Sequence, residues 1–221
     1  MTAFFALLLV QCSWSYEGGQ GLGFMAAMLA LARTPETRQR VWQKYRGQFN
    51  TNPFLAGTLA GVAAHYERRD SSEVDRLLGA LQSGFGSSGD NFFWRLLRPG
   101  LSVLAVTLAL FRPAFGPFVF LLPFAALTQT VRVSGLNRGL EVGKQAAVEM
   151  SARLTAYSAR MDVLMAFLVG VLGVRAMLTA GPAYLVLPAA TVGWFGLRRP
   201  RFGSYLLLLS LLILLLVKIV L

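Results

Sequence analysis

The sequence predicts an all-α, polytopic integral membrane protein, and three observations carry that reading. Hydrophobic residues make up 55% of the 221 residues and charged residues 14%, against roughly a quarter charged in ordinary soluble domains. Apolar runs approaching or exceeding the ~20 residues that cross a bilayer occupy the C-terminal half, and mean hydropathy is +0.56. The formal net charge is +11, an excess that suits cytoplasmic loops and contact with anionic lipid. Nucleic-acid binding is set aside as the source of that charge, because the apolar runs are far too long for such a module.

A single domain over 1–221 is expected, with two halves of different character. In residues 1–99 the apolar pieces 3–10, 21–32 and 54–64 are each too short to cross as straight helices. Short apolar helices broken by Gly, Asn and Pro suggest re-entrant or interfacial segments, the kind from which transporters build substrate sites. Surface-lying helices without a cavity fit the same pattern. Between these pieces an amphipathic helix is predicted over 36–49. Thr34 caps it, Pro35 suits its first turn, and Val41, Trp42, Tyr45 and Phe49 share a face flanked by Arg38, Arg40, Lys44 and Arg46. Residues 54–64 carry Gly57 and Gly61 with Ala56, Ala60 and Ala64, small-residue faces that favour tight helix packing.

In residues 100–221 the run 101–128 is apolar apart from Arg112 and is broken by Pro113, Pro117 and Pro123. It is one kinked span, or a short piece followed by a second. A stripe of Leu136, Leu140, Gly143, Ala147, Met150, Leu154, Tyr157 and Met161 predicts an amphipathic helix of about 136–161. Residues 163–197 read as two apolar stretches parted near Ala180-Gly181-Pro182, and 202–217 as a last one. The basic LRRPR at 197–201 is expected on the cytoplasmic side.

Three polar clusters punctuate the apolar pieces. The first is Gln11, Ser13, Trp14, Ser15, Tyr16, Glu17 and Gln20; Glu17 is the only acid before residue 36. The second is QFNTNP at 48–53, where Asn-Pro predicts a turn. The third is FGSSGDNFFWRLLRP at 85–99. Its glycines are expected to turn the backbone, while Asp90, Asn91 and Trp94 offer acceptors, donors and a flat face of the kind a hexose needs. Spacing alone reads equally well as a helix N-cap at Asp90 with its aromatics in lipid.

Catalytic constellations are not apparent. His65 has no companions in metal-ligand register and is expected as an interfacial residue closing the 54–64 helix. The chain has neither a phosphate-binding loop nor a serine nucleophile elbow. No enzyme activity, metal or cofactor is expected. The lone cysteine, Cys12, allows no intrachain disulfide. MTAFFALLLVQCSW lacks a basic n-region and places bulky Gln11 before the cysteine, so a processed lipoprotein signal is not expected and Cys12 is expected as a small buried residue.

Taken in order, QCSWSYEGGQGLGF (11–24), FNTNPFLAGTLAGV (49–62) and SGDNFFWRLLRP (88–99) resemble the IID membrane subunit of mannose/fructose/sorbose-type phosphotransferase systems. GPFVFLLPF (116–124), RVSGLNRGLEVG (132–143) and the terminal basic-then-apolar segment extend the resemblance over most of the chain. Before Gly89 the chain reads GFGSS where the family has a Gly-Pro-Leu-Ala-Gly-like run. The resemblance implies a multi-pass protein of the bacterial cytoplasmic membrane. It also implies a IIC membrane partner, cytoplasmic IIA and IIB phosphocarriers, a hexose substrate phosphorylated as it enters, and assembly as a trimer of IIC–IID pairs. For the site it implies Asp90, Asn91, Trp94 and Gly89 near the sugar, with Asn50, Asn52 and Glu17 in support. The 56–64 face and the 136–161 stripe are candidate IIC contacts. The alternative is a non-transporting membrane scaffold or regulatory subunit that binds partner proteins.

Overall fold

The computed structural model describes residues 2–69, 74–109 and 112–180, with side chains described as far as Gly173. The expected last apolar segment at 202–217, the LRRPR loop and the break near Gly181 lie outside the described residues. Among the described residues every regular element is helical, and only isolated backbone bridges at Ser15, Gly19 and Phe49 pair as strands do. Three helical runs, Val74–Ala109, Pro113–Val142 and Lys144–Gly173, are long and apolar enough to cross a membrane. Among the described residues the chain forms two compact units, residues 1–95 with 121–157, and residues 96–120 with those from Ser158 on.

In the first unit the short apolar pieces fold as α1 (Ala3–Leu8), α2 (Gly21–Leu31) and α4 (Ala56–Glu67), with α3 (Pro35–Tyr45) between the last two. Thr34 caps α3 as expected, its hydroxyl accepting from the Thr37 N–H at 3.2 Å. The helix ends at Tyr45, not 49, because the chain at Gly47 turns to run against α2: a Cβ on Gly21 would collide with the Gly47 carbonyl. Phe49 instead stacks flat on Phe24, ring centroids 3.7 Å apart. Val41 and Tyr45 are buried, whereas Trp42, one helical step away, is exposed and does not share their face. Cys12, expected buried, is exposed on the turn after α1, where its N–H donates to the Leu9 carbonyl.

A polar lock joins α3, α4 and the start of α5 (Val74–Gly89). The Tyr45 hydroxyl donates to buried Glu67 Oε1 at 2.7 Å, and Lys44 Nζ bridges Glu67 (2.8 Å) and Asp75 (3.1 Å). Burial, with Glu67 beside it, pushes the Tyr45 phenol well above its ordinary 10.0. A raised folded-state pKa means the contribution is whole below pH 10 and is lost as pH rises beyond it. Tyr45→Phe is therefore expected to cost about 1–2 kcal/mol at neutral pH and to blunt the loss of stability above pH 10. Thermal unfolding of the detergent-purified chain across pH checks both.

The glycine-rich stretch departs from expectation. Residues 74–109 form one uninterrupted helical run: α5, a π-helical segment Asp90–Leu97, and α6 (Arg98–Ala109). Gly84, Gly86 and Gly89 thus lie within a helix and make no turn, and Asp90 caps no helix start, because the chain N-terminal to it is already helical. Gly89 has a packing reason: a Cβ there would stand 2.5 Å from Asn52 Cβ.

The 101–128 run resolves into two pieces. α6 ends at Ala109, a single 3₁₀ turn spans Pro113–Phe115, and α7 (Gly116–Val142) follows with Pro123 inside it. The predicted 136–161 helix is likewise two helices. Gly143 adopts φ +59°, which favours glycine, and separates α7 from α8 (Lys144–Ala180). Arg138 grips Glu149 across the corner through two 3.0 Å hydrogen bonds. Leu136 on one arm and Ala147, Met150 and Leu154 on the other are all buried, so the stripe continues although the helix does not.

α4 and α7 approach backbone to backbone. A Cβ on Gly57 would meet the Arg132 carbonyl, one on Gly61 the Leu136 carbonyl, and one on Gly139 the Val62 nitrogen at 2.7 Å. The small-residue face of 56–64 is therefore spent inside the chain and is not a IIC contact, and the same holds for the buried half of the stripe. His65 belongs to this contact. It lies in the last turn of α4 and is buried within the chain: its Nδ1–H donates to the Leu140 carbonyl at 2.9 Å, and its ring fills the space beside Gly143.

In the second unit Gly100 of α6 lies against Met161 and Met165 of α8. Large apolar side chains, among them Phe115, Phe118, Val163 and Phe167, are exposed along the helices of spanning length, as surfaces that meet lipid or another membrane subunit require.

Candidate functional site

The three polar clusters are stitched together within the first unit. Gly19 at φ +57° lets the first cluster lie along the second: Gln20 N–H donates to the Phe49 carbonyl (2.7 Å) and Phe49 N–H to the Gly18 carbonyl (3.2 Å). The Gln20 side chain, almost fully buried, extends this pairing. Its Nε2 donates to the Thr51 carbonyl at 2.9 Å, and its Oε1 accepts from the Thr51 N–H at 3.4 Å.

The second cluster then docks on the third. Asn52, 1% exposed, donates from Nδ2 to Asp90 Oδ1 at 2.9 Å while its own Oδ1 accepts from the Phe54 N–H at 3.1 Å. That second bond closes the turn Asn-Pro predicts. Asn50 N–H donates to Gln82 Oε1 (3.1 Å), and the Thr51 hydroxyl to the Gln82 carbonyl (3.4 Å).

These contacts leave an open polar concavity of about 530 Å³, lined by Gln48, Asn50, Thr51, Gln82, Ser83 and Asp90 with Gly79 and Gly86. It offers amide donors and acceptors, two hydroxyls and one carboxylate, a set that matches a ring bearing many hydroxyls. Asp90 stands where the helix widens from α to π, an irregularity common at functional positions.

Of the residues singled out in the sequence, Asn50 and Asp90 line this concavity. Asn52 holds Asp90, and Gly89 gives Asn52 room. Asn91, Trp94 and Glu17 do not line it. Asn91 accepts from Arg95 Nη1 at 3.2 Å. Trp94 packs with Phe54 (5.4 Å) and Phe124 (6.4 Å). Glu17 is exposed in the turn closed by Ser15 and Gly19. Sequence reasoning missed Gln82, whose signal is faint: one amide in the largely apolar VDRLLGALQSG.

A profile of the PTS system mannose/fructose/sorbose family IID component matches residues 1–183. This chain belongs to that family. The IID chain is 29% identical over 147 residues to the PTS system mannose-specific EIID component of Escherichia coli K12, a match covering 61% of this chain and 52% of that one. It is 24% identical over 172 residues to the fructose permease IID component of Bacillus subtilis 168, covering 72% and 62%. With the PTS system sorbose-specific EIID component of Klebsiella pneumoniae it shares 28% over 157 residues, covering 66% and 57%. It thus spans about half the length of the first of these relatives.

Two solved structures share its architecture, each covering 77% of this chain and 67% of the other. One is described as the structure of a membrane protein (TM-score 0.67, 26% identity). The other is the cryo-EM structure of the mannose transporter ManYZ with microcin E492 (TM-score 0.58, 25% identity). The IID chain is a IID component of the mannose class and a multi-pass protein of the bacterial inner membrane.

Proposed function

We propose that this IID chain forms, with a IIC subunit, the translocation path for a hexose of the mannose/fructose/sorbose class, phosphorylated by IIA and IIB partners as it enters. The working assembly is a trimer of IIC–IID pairs. The chain itself holds no phosphoryl group: its single histidine is buried and bonded to a backbone carbonyl. The observation that carries the reading is the Asn52–Asp90 pair. Asn52 fixes one carboxylate oxygen and leaves the exposed Asp90 facing the polar concavity. The concavity is this chain's share of the sugar site, with Asn50 and Asp90 on its wall and Asn52 behind Asp90.

Asp90→Asn isolates the chemistry. An amide oxygen at this position still accepts from Asn52, so the fold and the IIC contact stand, while the charge and one acceptor vanish. Uptake and phosphorylation of labelled mannose, fructose and sorbose by the complex with IIC, IIA and IIB are expected to disappear, with assembly intact on size exclusion. Undiminished uptake would remove the proposal and leave Asp90 a packing residue.

A further inference from the structure

We infer that Arg132 is a positioning residue for the sugar site: its guanidinium holds the Asn52–Pro53–Phe54 corner, and through that corner the Asp90 carboxylate. The inference rests on the sugar-path reading above.

Arg132 sits in α7, in a helix of spanning length, and is 4% exposed. Arginines that deep are almost always paired with an acid. Among the described residues no carboxylate contacts this one. Nη1 donates to Gln129 Oε1, one turn back on the same helix, at 2.7 Å. Nη2 donates to the Pro53 carbonyl at 3.5 Å. The guanidinium lies over the Phe54 ring, 5.4 Å from its centroid, and Nε has no acceptor.

Such a group is costly to keep. An unpaired cation away from water is among the least favourable things a fold can hold, and a methionine or leucine would fill the volume without that penalty. What it contributes must lie in what it holds. Among the described residues, what its charge touches apart from Gln129 belongs to one corner of chain. Proline has no N–H, so the carbonyl of Pro53 is the only backbone hydrogen-bonding group of that residue available to pin it. The corner is gripped on three sides. Asn52 reaches Asp90, Pro53 reaches Arg132, and the Phe54 ring meets Phe93 at 4.8 Å, Trp94 and Phe124. Remove the guanidinium and the grip on Pro53 is lost, and the Phe54 ring loses the cation over its face while keeping its aromatic neighbours. Asn52 sits one residue away, and a shift of about 1 Å there is enough to misplace a binding group.

Arg132→Met and Arg132→Lys test this in the complex of the full chain with IIC, IIA and IIB, reading KM and turnover per assembled complex for radiolabelled mannose, fructose and sorbose. Arg132→Met is expected to raise KM about tenfold, or about 1.4 kcal/mol, with turnover near wild type. Arg132→Lys keeps a cation over Phe54 without the planar fork and is expected to recover part of the loss. A purely structural role would lower the amount of complex and leave KM alone, so an unchanged KM in Arg132→Met overturns the inference. If that variant does not assemble, the KM of Arg132→Lys decides by the same criterion. Asp90→Asn keeps the two ideas apart. Uptake that survives in Asp90→Asn removes the sugar-path reading itself. Uptake lost there, with KM unmoved in the Arg132 variants, removes only the role of Arg132.

Discussion

Gly61→Val is expected to leave little folded chain in the membrane. A Cβ at Gly61 would strike the Leu136 carbonyl and stand 3.0 Å from both Gly139 Cα and Leu140 N. All three are backbone atoms of α7, so no rotamer change can make room. The two helices would have to part along their whole contact, where Gly57, Gly61, Gly135 and Gly139 interlock. Overpacking of a well-packed site costs about 1–3 kcal/mol; a clash with fixed backbone belongs above that range. His65 and Arg132 lie on the same contact, so their bonds to Leu140 and Pro53 would go with it. The measurement is the yield of monodisperse chain after detergent extraction. Gly84→Ala is the control: nothing lies within 4 Å of its Cβ position, and an alanine in mid-helix gains about 0.5–1 kcal/mol. A normal yield for Gly61→Val would mean that α4 and α7 do not pack as described.

Gly89→Val is expected to abolish transport while sparing assembly. Here the obstructing atoms are side chains, Asn52 Cβ at 2.5 Å, Asn52 Cγ at 2.8 Å and Leu55 Cδ1 at 2.8 Å. Asn52 Cγ and Leu55 Cδ1 can rotate aside, whereas Asn52 Cβ is fixed to the backbone and moves only with the 52–54 turn. Asn52 can move only by releasing Asp90, its partner at 2.9 Å. A misplaced binding group costs about a hundredfold in rate, so uptake of labelled hexose by the assembled complex should fall by about that factor. Full uptake from assembled Gly89→Val complexes would show that the Asn52–Asp90 bond is dispensable.

The two glycine sets show where sequence reading holds and where it stops. The spacing of Gly57 and Gly61 with the alanines around them announces a close helix contact, and the contact exists. Its partner, the Gly135–Gly139 face of α7, is a tertiary fact; a small-residue face looks the same whether it meets its own chain or another subunit. The glycines at 84–89 read as a turn because each costs a helix about 1 kcal/mol relative to alanine. Burial of Phe85, Phe92 and Phe93 outweighs that cost and keeps the run helical. The 136–161 stripe misled for a different reason. Periodicity reports which residues face inward, and both arms of the Gly143 corner face inward, so the pattern passes through the bend unbroken.

By itself the sequence determined the class, all-helical and membrane-spanning, because hydropathy and run length act residue by residue and need no partner. It also determined the order of the three polar clusters, and with it the family. Only the tertiary structure decided which of their side chains meet. It brought Gln20 to Thr51, Asn50 to Gln82 and Asn52 to Asp90, sent Trp94 into an aromatic cluster, and placed Arg132 beneath the corner. Those pairings span 31 to 79 residues of chain. They depend on where α4, α5 and α7 cross, and helix crossings are set by the packing of whole faces, which no local pattern records.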